Sequence, residues 1–314
     1  MSTPLGSSMI TTNGPKSRKT RGRWQTWLDI IRRDKRPAWG LAILLVFVVL
    51  AVFAPVFSPY SPTASSFSPF MGPSANHWFG TTASGQDVWS QFLYGGRISL
   101  SVGFASGFIA TVLAIVLGML PAYLGGWVDT IMATVTNIML VIPGLPLLIV
   151  ITAYVHQTGP LTIALVIGLT GWAWGARILR SQTLTLSRRD FVAAARLAGE
   201  HRWRVLVAEI LPNMLSLVIA NLVFATIGAI LAEASLEFLG LGNPSAVTWG
   251  TMLYWADSGG ALLNGAWWWI VPPGLAIALV GLSLALINFG VDQVSNPRLR
   301  LNRIKPKKHD KGVQ

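Results

Sequence analysis

Six long apolar stretches, each almost free of charged residues, divide this chain of 314 residues. A helix needs about 20 apolar residues to cross the roughly 30 Å hydrocarbon core of a bilayer, so each stretch has about the length of a membrane span. The composition agrees, because 52% of the residues are hydrophobic and only 11% are charged. We therefore predict an all-α integral membrane protein with six transmembrane helices, at residues 39–57, 98 to about 124, about 130–155, 161–178, 210–232 and about 268–289.

Glycines and prolines mark turns and bends within these stretches. The third and fourth spans lie in one uncharged run, which we divide because His156, Gly159 and Pro160 form a polar turn in its middle. Small residues four apart favour close helix packing, and two such glycine pairs occur. The pairs are Gly103 with Gly107 and Gly171 with Gly175; helix bends are expected at Pro143, Pro146, Pro272 and Pro273.

The lysines and arginines are confined to three parts of the chain. Of 24, nine lie within 16–36, seven within 177–204 and seven within 298–311, which leaves only Arg97. Cationic flanks are retained in the cytoplasm, so both termini are predicted to lie there. The net charge of +12 is then explained by the cationic segments that set the orientation of the chain in the membrane. Contact with anionic lipid is expected, and a nucleic-acid partner is not.

This topology divides the chain into four regions. The first apolar run is too long, and its basic lead too extended, for a cleaved signal peptide, so it is predicted to be an uncleaved anchor. A proline-rich stretch after it predicts an extended external path, and 87–96 a short amphipathic helix leading into the second span. The regions are a basic cytoplasmic tail (1–36), the first helix with an extracytoplasmic segment (37–97), a five-helix core (98–292) with a cytoplasmic loop (180–209), and a second basic tail (293–314).

Motifs for catalysis and cofactor binding are missing from the sequence. It contains no cysteine, only four scattered histidines, no phosphate-binding glycine loop and no catalytic triad pattern. We predict that the chain is not an enzyme and binds neither metal nor cofactor. If the protein uses ATP, another chain must bind it.

The stretch DFVAAARLAGEHRWRVLVAEILPN, residues 190–213, interrupts the apolar pattern. Ser187 followed by Asp190 resembles a capping box, which predicts a short helix beginning near Arg188. Alanines give this helix little bulk, and Gly199 is a natural end point. Residues Leu211 and Pro212 mark re-entry into the membrane. Two interpretations remain open: a docking surface for another protein, or an amphipathic helix resting on lipid headgroups.

The run from Ala193 to Gly199, followed by Leu211 and Pro212, resembles the cytoplasmic EAA loop of permeases from binding-protein-dependent ABC importers. The spacing from Gly199 to the leucine–proline pair is similar to that in the dipeptide/oligopeptide branch of these permeases. Residues 77–103 and 123–150 also resemble segments of that branch. Residues 233–242 and 296–300 resemble the C-type subunit of that branch. One departure is that Ala193 occupies the family's glutamate position, so Asp190 or Glu200 would have to supply its charge.

The resemblance implies a six-helix permease fold of the type I ABC importers and a set of partners. The loop would form a coupling helix that docks on cytoplasmic ATPase subunits, and a bulky residue at Gly199 would uncouple ATP hydrolysis from transport. Expected partners are a homologous B-type permease, two ATPases that use ATP and Mg, and an extracytoplasmic binding protein, in a bacterial or archaeal plasma membrane. Peptides are the expected cargo, with oligosaccharides or another solute as alternatives. Coupling residues would be Asp190, Ala193, Ala194, Ala195, Arg196, Ala198, Gly199, Leu211 and Pro212, with Arg196, Arg202 and Arg204 facing acidic rims of the ATPases.

Residues within the spans suggest a pathway or gate. The candidates are Pro143, Trp172, Trp174, Glu233 and Glu237. For the two glutamates, a structural role that satisfies backbone groups at the end of span five is favoured over an ion relay. Residues 58–97 and 240–267 would either dock the binding protein or form an outer lid. A carbohydrate-stacking role is less favoured than membership of an aromatic belt at the outer membrane surface for Trp249, Trp255, Trp267, Trp268 and Trp269.

Three other classes of membrane protein stay open. A secondary transporter would show inverted repeats and paired intramembrane charges, neither of which we find. A channel would work without ATPases, and a membrane enzyme would need a catalytic constellation. Co-purification with ATP-hydrolysing subunits separates all three from an importer.

Overall fold

The computed structural model describes residues 35–155 and 159–295, and both basic tails and His156 lie largely or wholly outside this part. The described residues are mainly helical, and an isolated bridge between Thr81 and Asp87 is their only β pairing. The helices, numbered here in chain order, are α1 Arg36–Val52, α2 Ala54–Phe57, α3 Val88–Ala114, α4 Leu120–Leu124, α5 Gly126–Val141, α6 Gly144–Tyr154, α7 Pro160–Thr170, α8 Ala173–Leu186, α9 Asp190–Leu197, α10 Arg202–Arg204, α11 Leu211–Phe238, α12 Trp249–Ser258 and α13 Trp267–Ser295.

Three helical segments of the described chain are long and apolar enough to cross a membrane: Val88–Leu124, Arg202–Phe238 and Trp267–Val291. The pairs α5 with α6 and α7 with α8 bring the number to five if each bent pair is one span. Helix α1 is apolar but has 17 residues. The helical class is thus confirmed, and the count of six spans stays a prediction.

The bends lie at proline and glycine positions. Between α5 and α6 the axis turns by 90° at Ile142 and Pro143, so the bend predicted there is confirmed. Between α7 and α8 it turns by 41° at Gly171 and Trp172. Helix α13 continues through Pro272 and Pro273.

Three predicted helix boundaries are wrong. Helix α3 begins at Val88, so the expected short helix at 87–96 and the second span are one continuous element. Helix α11 continues past Glu233 and Glu237 to Phe238, because both side chains are buried against neighbouring helices and do not need to leave the bundle. The predicted first span is also divided at Phe53, before Pro55, which has no amide hydrogen to continue the helix.

Two long helical segments each contain a π-helical turn directly before a leucine–proline pair. The first turn, Ile115–Met119, precedes Leu120 and Pro121; the second, Val205–Ile210, precedes Leu211 and Pro212. A proline within a helix removes a hydrogen bond and its ring crowds a carbonyl one turn earlier, and a wider turn relieves this crowding. Both turns lie in one hydrophobic cluster with Val192 of α9.

Glycines set the close approaches within the bundle. A Cβ at Gly107 would lie 2.8 Å from the Thr226 backbone, and one at Gly168 would lie 2.8 Å from Ile109 Cβ. Gly103 faces Ile230 and Gly175 faces Asn221 in the same way. The packing role predicted for these pairs is therefore confirmed at Gly103, Gly107 and Gly175.

Residues 58–87 contain no helix, as their prolines predicted. Asp87 organises the end of this segment: its Oδ1 lies 2.8 Å from Nδ1 of the buried His77, and its Oδ2 accepts from the Ser90 amide (2.8 Å). The carboxylate thus holds the segment 58–87 against the start of α3.

Candidate functional site

The segment 187–204, called here the elbow, joins α8 to the helix that leads into α11. Its helix α9 begins at Asp190, two residues after the predicted start, and the predicted capping box is wrong. Ser187 instead follows the last residue of α8 as its C-terminal cap, and its hydroxyl donates to the Leu184 carbonyl (3.0 Å). The hydroxyl therefore does not cap α9.

The predicted end of α9 at Gly199 is confirmed. Gly199 has a φ of +80°, its amide donates to Arg196 O (3.1 Å), and the Glu200 amide donates to Ala195 O (3.1 Å). This is the Schellman arrangement, which favours glycine because a left-handed residue with a Cβ is strained. The chain then turns sharply towards α10.

The elbow is packed onto the ends of the membrane helices. Val192 is fully buried, in a cluster that includes Val205, Ile210 and Met214. The Arg196 guanidinium lies over the Tyr123 ring, 5.0 Å from its centroid. Helix α9 is therefore in direct contact with the helices of the bundle.

The opposite face of α9 is exposed and has mostly small residues. Ala193, Ala194 and Ala198 are exposed there, and the Leu197 side chain is 89% exposed. Sequence reasoning missed Leu197, although helical periodicity identifies it: it lies five residues, or about 140° of rotation, after the buried Val192. Phe191, in the first turn of α9, is 37% exposed as well, so α9 has two large apolar side chains that the rest of the described chain does not cover.

The elbow arginines differ in their surroundings. Arg196 lies on Tyr123, and Arg204 Nε lies 2.9 Å from Glu200 Oε2. Asp190 is exposed in the first turn of α9, whereas Glu200 pairs with Arg204, and which of the two supplies the family's glutamate charge stays a prediction. Contact of these arginines with an acidic partner stays a prediction. At the start of α11, Leu211 packs against the hydrophobic cluster that contains Val192, and Pro212 is exposed.

A groove of about 290 Å³ lies between α3, the two bent pairs and α11. Of the predicted pathway residues only Trp174 lines it, while Pro143 lies between the lining residues Ile142 and Gly144. Trp172 is instead buried in the hydrophobic cluster that contains Val192. The groove is lined by Ser106, Ala110, Met139, Ile142, Gly144, Leu147, Leu148, Ile167, Thr170, Gly171, Trp174, Gly175, Asn221, Phe224, Ala225, Gly228, Ala229 and Ala232.

Asn221 is the main polar group of this groove, and sequence reasoning missed it. It is buried, its Nδ2 donates to Thr111 Oγ1 (3.2 Å), and it packs against Gly175. Polar side chains within membrane spans cost free energy unless they form hydrogen bonds with neighbouring groups. An asparagine in the middle of an uncharged span was the available signal.

Glu233 and Glu237 lie away from the groove, at the end of the bundle opposite the elbow. Glu233 Oε1 accepts from Ser99 Oγ (3.1 Å), and Glu237 accepts from the Thr248 hydroxyl. The expected role in ending span five is wrong, because Gly240 ends α11 by donating to Glu237 O (2.9 Å). The carboxyl groups instead connect α11 to α3 and to the first turn of α12.

The tryptophans at this end do not share one environment. Trp249 and Trp269 are buried, and Trp249 Nε1 donates to Phe92 O (3.1 Å), so the aromatic-belt prediction is wrong for these two. Trp255 and Trp267 are exposed, as a belt requires. Trp268 is half-buried and donates from Nε1 to Thr81 O (3.3 Å).

Segments 58–97 and 240–267 meet around a second cavity of about 440 Å³, which we call the outer cavity after the side of the membrane predicted for it. Gln86 and Gln91 on one side face Ser245, Thr251 and the ring of Trp255 on the other, and no charged residue lines the cavity. The Gln91 amide donates to Gln86 Oε1 (2.7 Å), which fixes one wall. The lining is therefore neutral and mixed, with polar side chains beside apolar residues such as Val247, Met252 and Trp269.

An ion pair missed by sequence reasoning joins the two bent pairs near the elbow. Arg180 on α8 donates from Nε to Asp129 Oδ1 (2.7 Å) and from Nη2 to Asp129 Oδ2 (2.8 Å). Such bidentate pairs fix geometry as well as adding energy. No sequence signal identifies the partners, because 51 positions separate them.

These features define the class: a multi-pass helical membrane protein with a groove between its spans and a protruding elbow. Residues 110–301 match the family described as binding-protein-dependent transport system inner membrane component, and residues 22–73 match the N-terminal transmembrane domain of oligopeptide transport permease C. The chain belongs to this family of inner-membrane transport components. The matched region includes the elbow and all of the residues that line the groove except Ser106.

Curated relatives extend the match over most of the chain. The dipeptide transport system permease protein DppC of Bacillus subtilis is 34% identical over 86% of this chain and 84% of its own length. DppC of Alkalihalophilus pseudofirmus is 35% identical, over 88% and 90%. The oligopeptide transport system permease protein OppC of Bacillus subtilis is 31% identical, over 90% and 92%. The dipeptide/oligopeptide resemblance found in the sequence is confirmed.

Proposed function

We propose that this chain is the C-type permease subunit of an ATP-driven peptide importer. It forms half of a translocation pathway with a homologous B-type permease. Two cytoplasmic ATPase subunits bind and hydrolyse ATP with Mg, and an extracytoplasmic binding protein delivers the cargo. This chain itself has no catalytic residue and binds no cofactor. Both of its termini and the loop 180–209 lie in the cytoplasm.

The elbow is the observation that carries this proposal. Val192 fixes α9 to the membrane helices, while Ala194 and Leu197 face outwards on the opposite side. In the proposed complex Leu197 enters a groove on an ATPase subunit, and the alanines allow close approach of the two backbones. ATP drives transport only if it favours one conformation of the complex over the other.

Crosslinking tests the proposal directly, because the chain has no cysteine and each introduced cysteine is unique. We expect Ala194→Cys and Leu197→Cys to form crosslinks with an ATP-hydrolysing subunit in native membranes. Ser84→Cys, which lines the outer cavity, is the matched control and is not expected to do so. If neither elbow cysteine reaches such a subunit, or if a membrane-impermeant reagent labels the elbow from outside, the proposal is wrong.

Peptides are proposed as the cargo because the relatives are named as dipeptide and oligopeptide permeases. The test is the ligand preference of the binding protein that co-purifies with the complex. We expect dipeptides or short oligopeptides to raise its melting temperature. If oligosaccharides alone raise the melting temperature, the proposed cargo is wrong, but the assignment of the complex as an importer stands.

A further inference from the structure

Two carboxyl groups lie side by side in the interior of the protein, at the end of the bundle opposite the elbow. Glu233 and Glu237 are four residues apart on α11, so their side chains lie on the same face of the helix, one turn apart. Their exposed fractions are 0% and 2%. Carboxylates are almost never buried this fully unless an opposite charge accompanies them, so both groups need compensation.

Within the part of the chain that the structure describes, no cation pairs with either glutamate. The ion pairs found there join other residues, and Arg97, two residues before Ser99 on α3, is exposed. The burial of the two carboxyl groups is therefore not compensated by a basic side chain of this part. The other titratable or charged residues on the helical elements that pack against α11 are Tyr94 on α3, Tyr154 on α6, Arg177 and Arg180 on α8, Glu209 on the π-helical turn, Tyr254 and Asp257 on α12 and Asp292 on α13.

The hydrogen bonds of the pair come from hydroxyl groups and leave one oxygen without a donor. Ser99 Oγ donates to Glu233 Oε1 (3.1 Å) and itself accepts from the Trp249 amide (3.2 Å). The Thr248 hydroxyl donates to Glu237. Glu233 Oε2 is buried and has no hydrogen-bond partner. This oxygen is the open position at which the pair can bind a proton.

Glycines close the protein tightly around the Glu237 side chain. A Cβ at Gly242 would lie 2.7 Å from Glu237 Cγ, and one at Gly250 would lie 2.8 Å from Glu237 Cβ. Neither the groove nor the outer cavity is lined by Glu233 or Glu237. A hard metal ion requires six or more oxygen ligands around it, whereas a proton needs only the two carboxyl groups. The closed site therefore favours a proton.

The surroundings accommodate one negative charge better than two. Glu237 lies against the first turn of α12, where the amide groups of a helix N-terminus favour a carboxylate. A second carboxylate one turn away on α11 would add repulsion to the cost of leaving water. Two carboxylates that share a buried site do not both ionise at neutral pH for this reason.

We infer that Glu233 and Glu237 form a proton-binding site, in which the pair holds at least one proton at neutral pH and so joins α11 to α3 and α12. The proton belongs to the pair rather than to one residue. In the unfolded chain both groups lose their protons at acidic pH. Stability is therefore lost as the pH rises through the range in which the folded pair gives up its proton.

Infrared spectroscopy tests the protonation of the pair directly. The complex is purified at neutral pH in a detergent without ester groups, and its spectrum is compared with that of Glu233→Gln/Glu237→Gln. We expect the difference to contain the carbonyl band of a protonated carboxyl group, which shifts in D2O and disappears at alkaline pH. The matched control Glu209→Gln, at an exposed position of the same long helical segment, is expected to leave the band unchanged.

A difference spectrum without this band at neutral pH would show that both carboxyl groups are ionised and would overturn the inference. The unsubstituted complex provides a check that does not depend on the assembly of the variants. If its own spectrum has no carbonyl band that shifts in D2O and is lost at alkaline pH, the pair holds no proton.

Thermal unfolding provides a second readout. The melting temperature of the unsubstituted complex is expected to fall from neutral to alkaline pH by more than that of Glu233→Gln, because the amide cannot acquire a charge. Equal falls in the two proteins would contradict the inference. A rise in melting temperature with sodium or potassium at constant pH, lost in Glu233→Gln, would assign the pair to a metal ion instead.

Discussion

Gly199 adopts a left-handed backbone conformation that ends α9, although the space beside it has room for a side chain. Its φ is +80°, and a Cβ there would meet no atom of the chain within 4 Å. A left-handed residue with a Cβ costs about 1–2 kcal/mol, while asparagine tolerates this region better. We expect Gly199→Val to loosen the end of α9, and Gly199→Asn to keep most of its stability.

Hydrogen exchange of a peptide covering Asp190–Leu197 in the purified chain measures this difference. Faster exchange is expected in Gly199→Val and near-normal exchange in Gly199→Asn. Equal exchange in the two variants would show that the backbone conformation of Gly199 does not hold α9. Transport per ATP hydrolysed is expected to fall in the same order.

Single residues were predictable where local backbone chemistry decides the outcome. Gly199 ends α9 because the Schellman arrangement requires it, whatever the rest of the fold does. Ser187 was misplaced because two helices compete for its hydroxyl, and α8 obtains it. The partners of Glu233 and Glu237 depend on α3 and α12, which are distant in sequence.

At the scale of whole helices, the crossing of α3 and α11 depends on a glycine. A Cβ at Gly107 would lie 2.8 Å from the Thr226 backbone, which cannot move without moving α11. We expect Gly107→Ala to destabilise the protein by about 1–3 kcal/mol through overpacking. Thermal unfolding of the reconstituted chain measures the effect.

Gly281 on α13 is the matched control for this substitution. A Cβ there would meet no atom of the chain within 4 Å, so alanine adds no clash. Better helix propensity is expected to make Gly281→Ala neutral or stabilising by up to about 1 kcal/mol. Similar losses in both variants would show that close packing at Gly107 is not the cause.

Helices were predictable in position but not in length. Hydropathy reports the apolar window, whereas backbone hydrogen bonding continues beyond it. Helix α3 therefore begins at Val88 although Arg97 lies within it, and α11 extends to Phe238. The prolines indicated the bend at Pro143, but its angle of 90° depends on the neighbouring helices.

At the scale of the molecule, Asp129 and Arg180 connect the two bent pairs. Their side chains are only partly exposed, and the pair is bidentate. In a double-mutant cycle with Asp129→Asn and Arg180→Gln, we expect a coupling energy of about 1 kcal/mol. Thermal unfolding in nanodiscs measures it, with the exchanged pair Asp129→Arg/Arg180→Asp as a control for the charges themselves.

Strictly additive losses in that cycle would show that the pair does not stabilise the bundle. The exchanged pair is expected to recover part of the loss, because it keeps opposite charges but not the same geometry. Helix pairing of this kind was beyond sequence reasoning, since hydropathy identifies spans without saying which spans meet.

The π-helical turns before Pro121 and Pro212 change the direction in which the side chains of each long helix point after the turn. An α-helix rotates by about 100° per residue, so one inserted residue offsets all later positions by that angle. Ala114 with Met119, and Val205 with Ile210, are pairs five residues apart, and all four residues are buried in the cluster around Val192. The wide turns therefore keep both long helices packed against the elbow, where a regular α-helix would turn one member of each pair away.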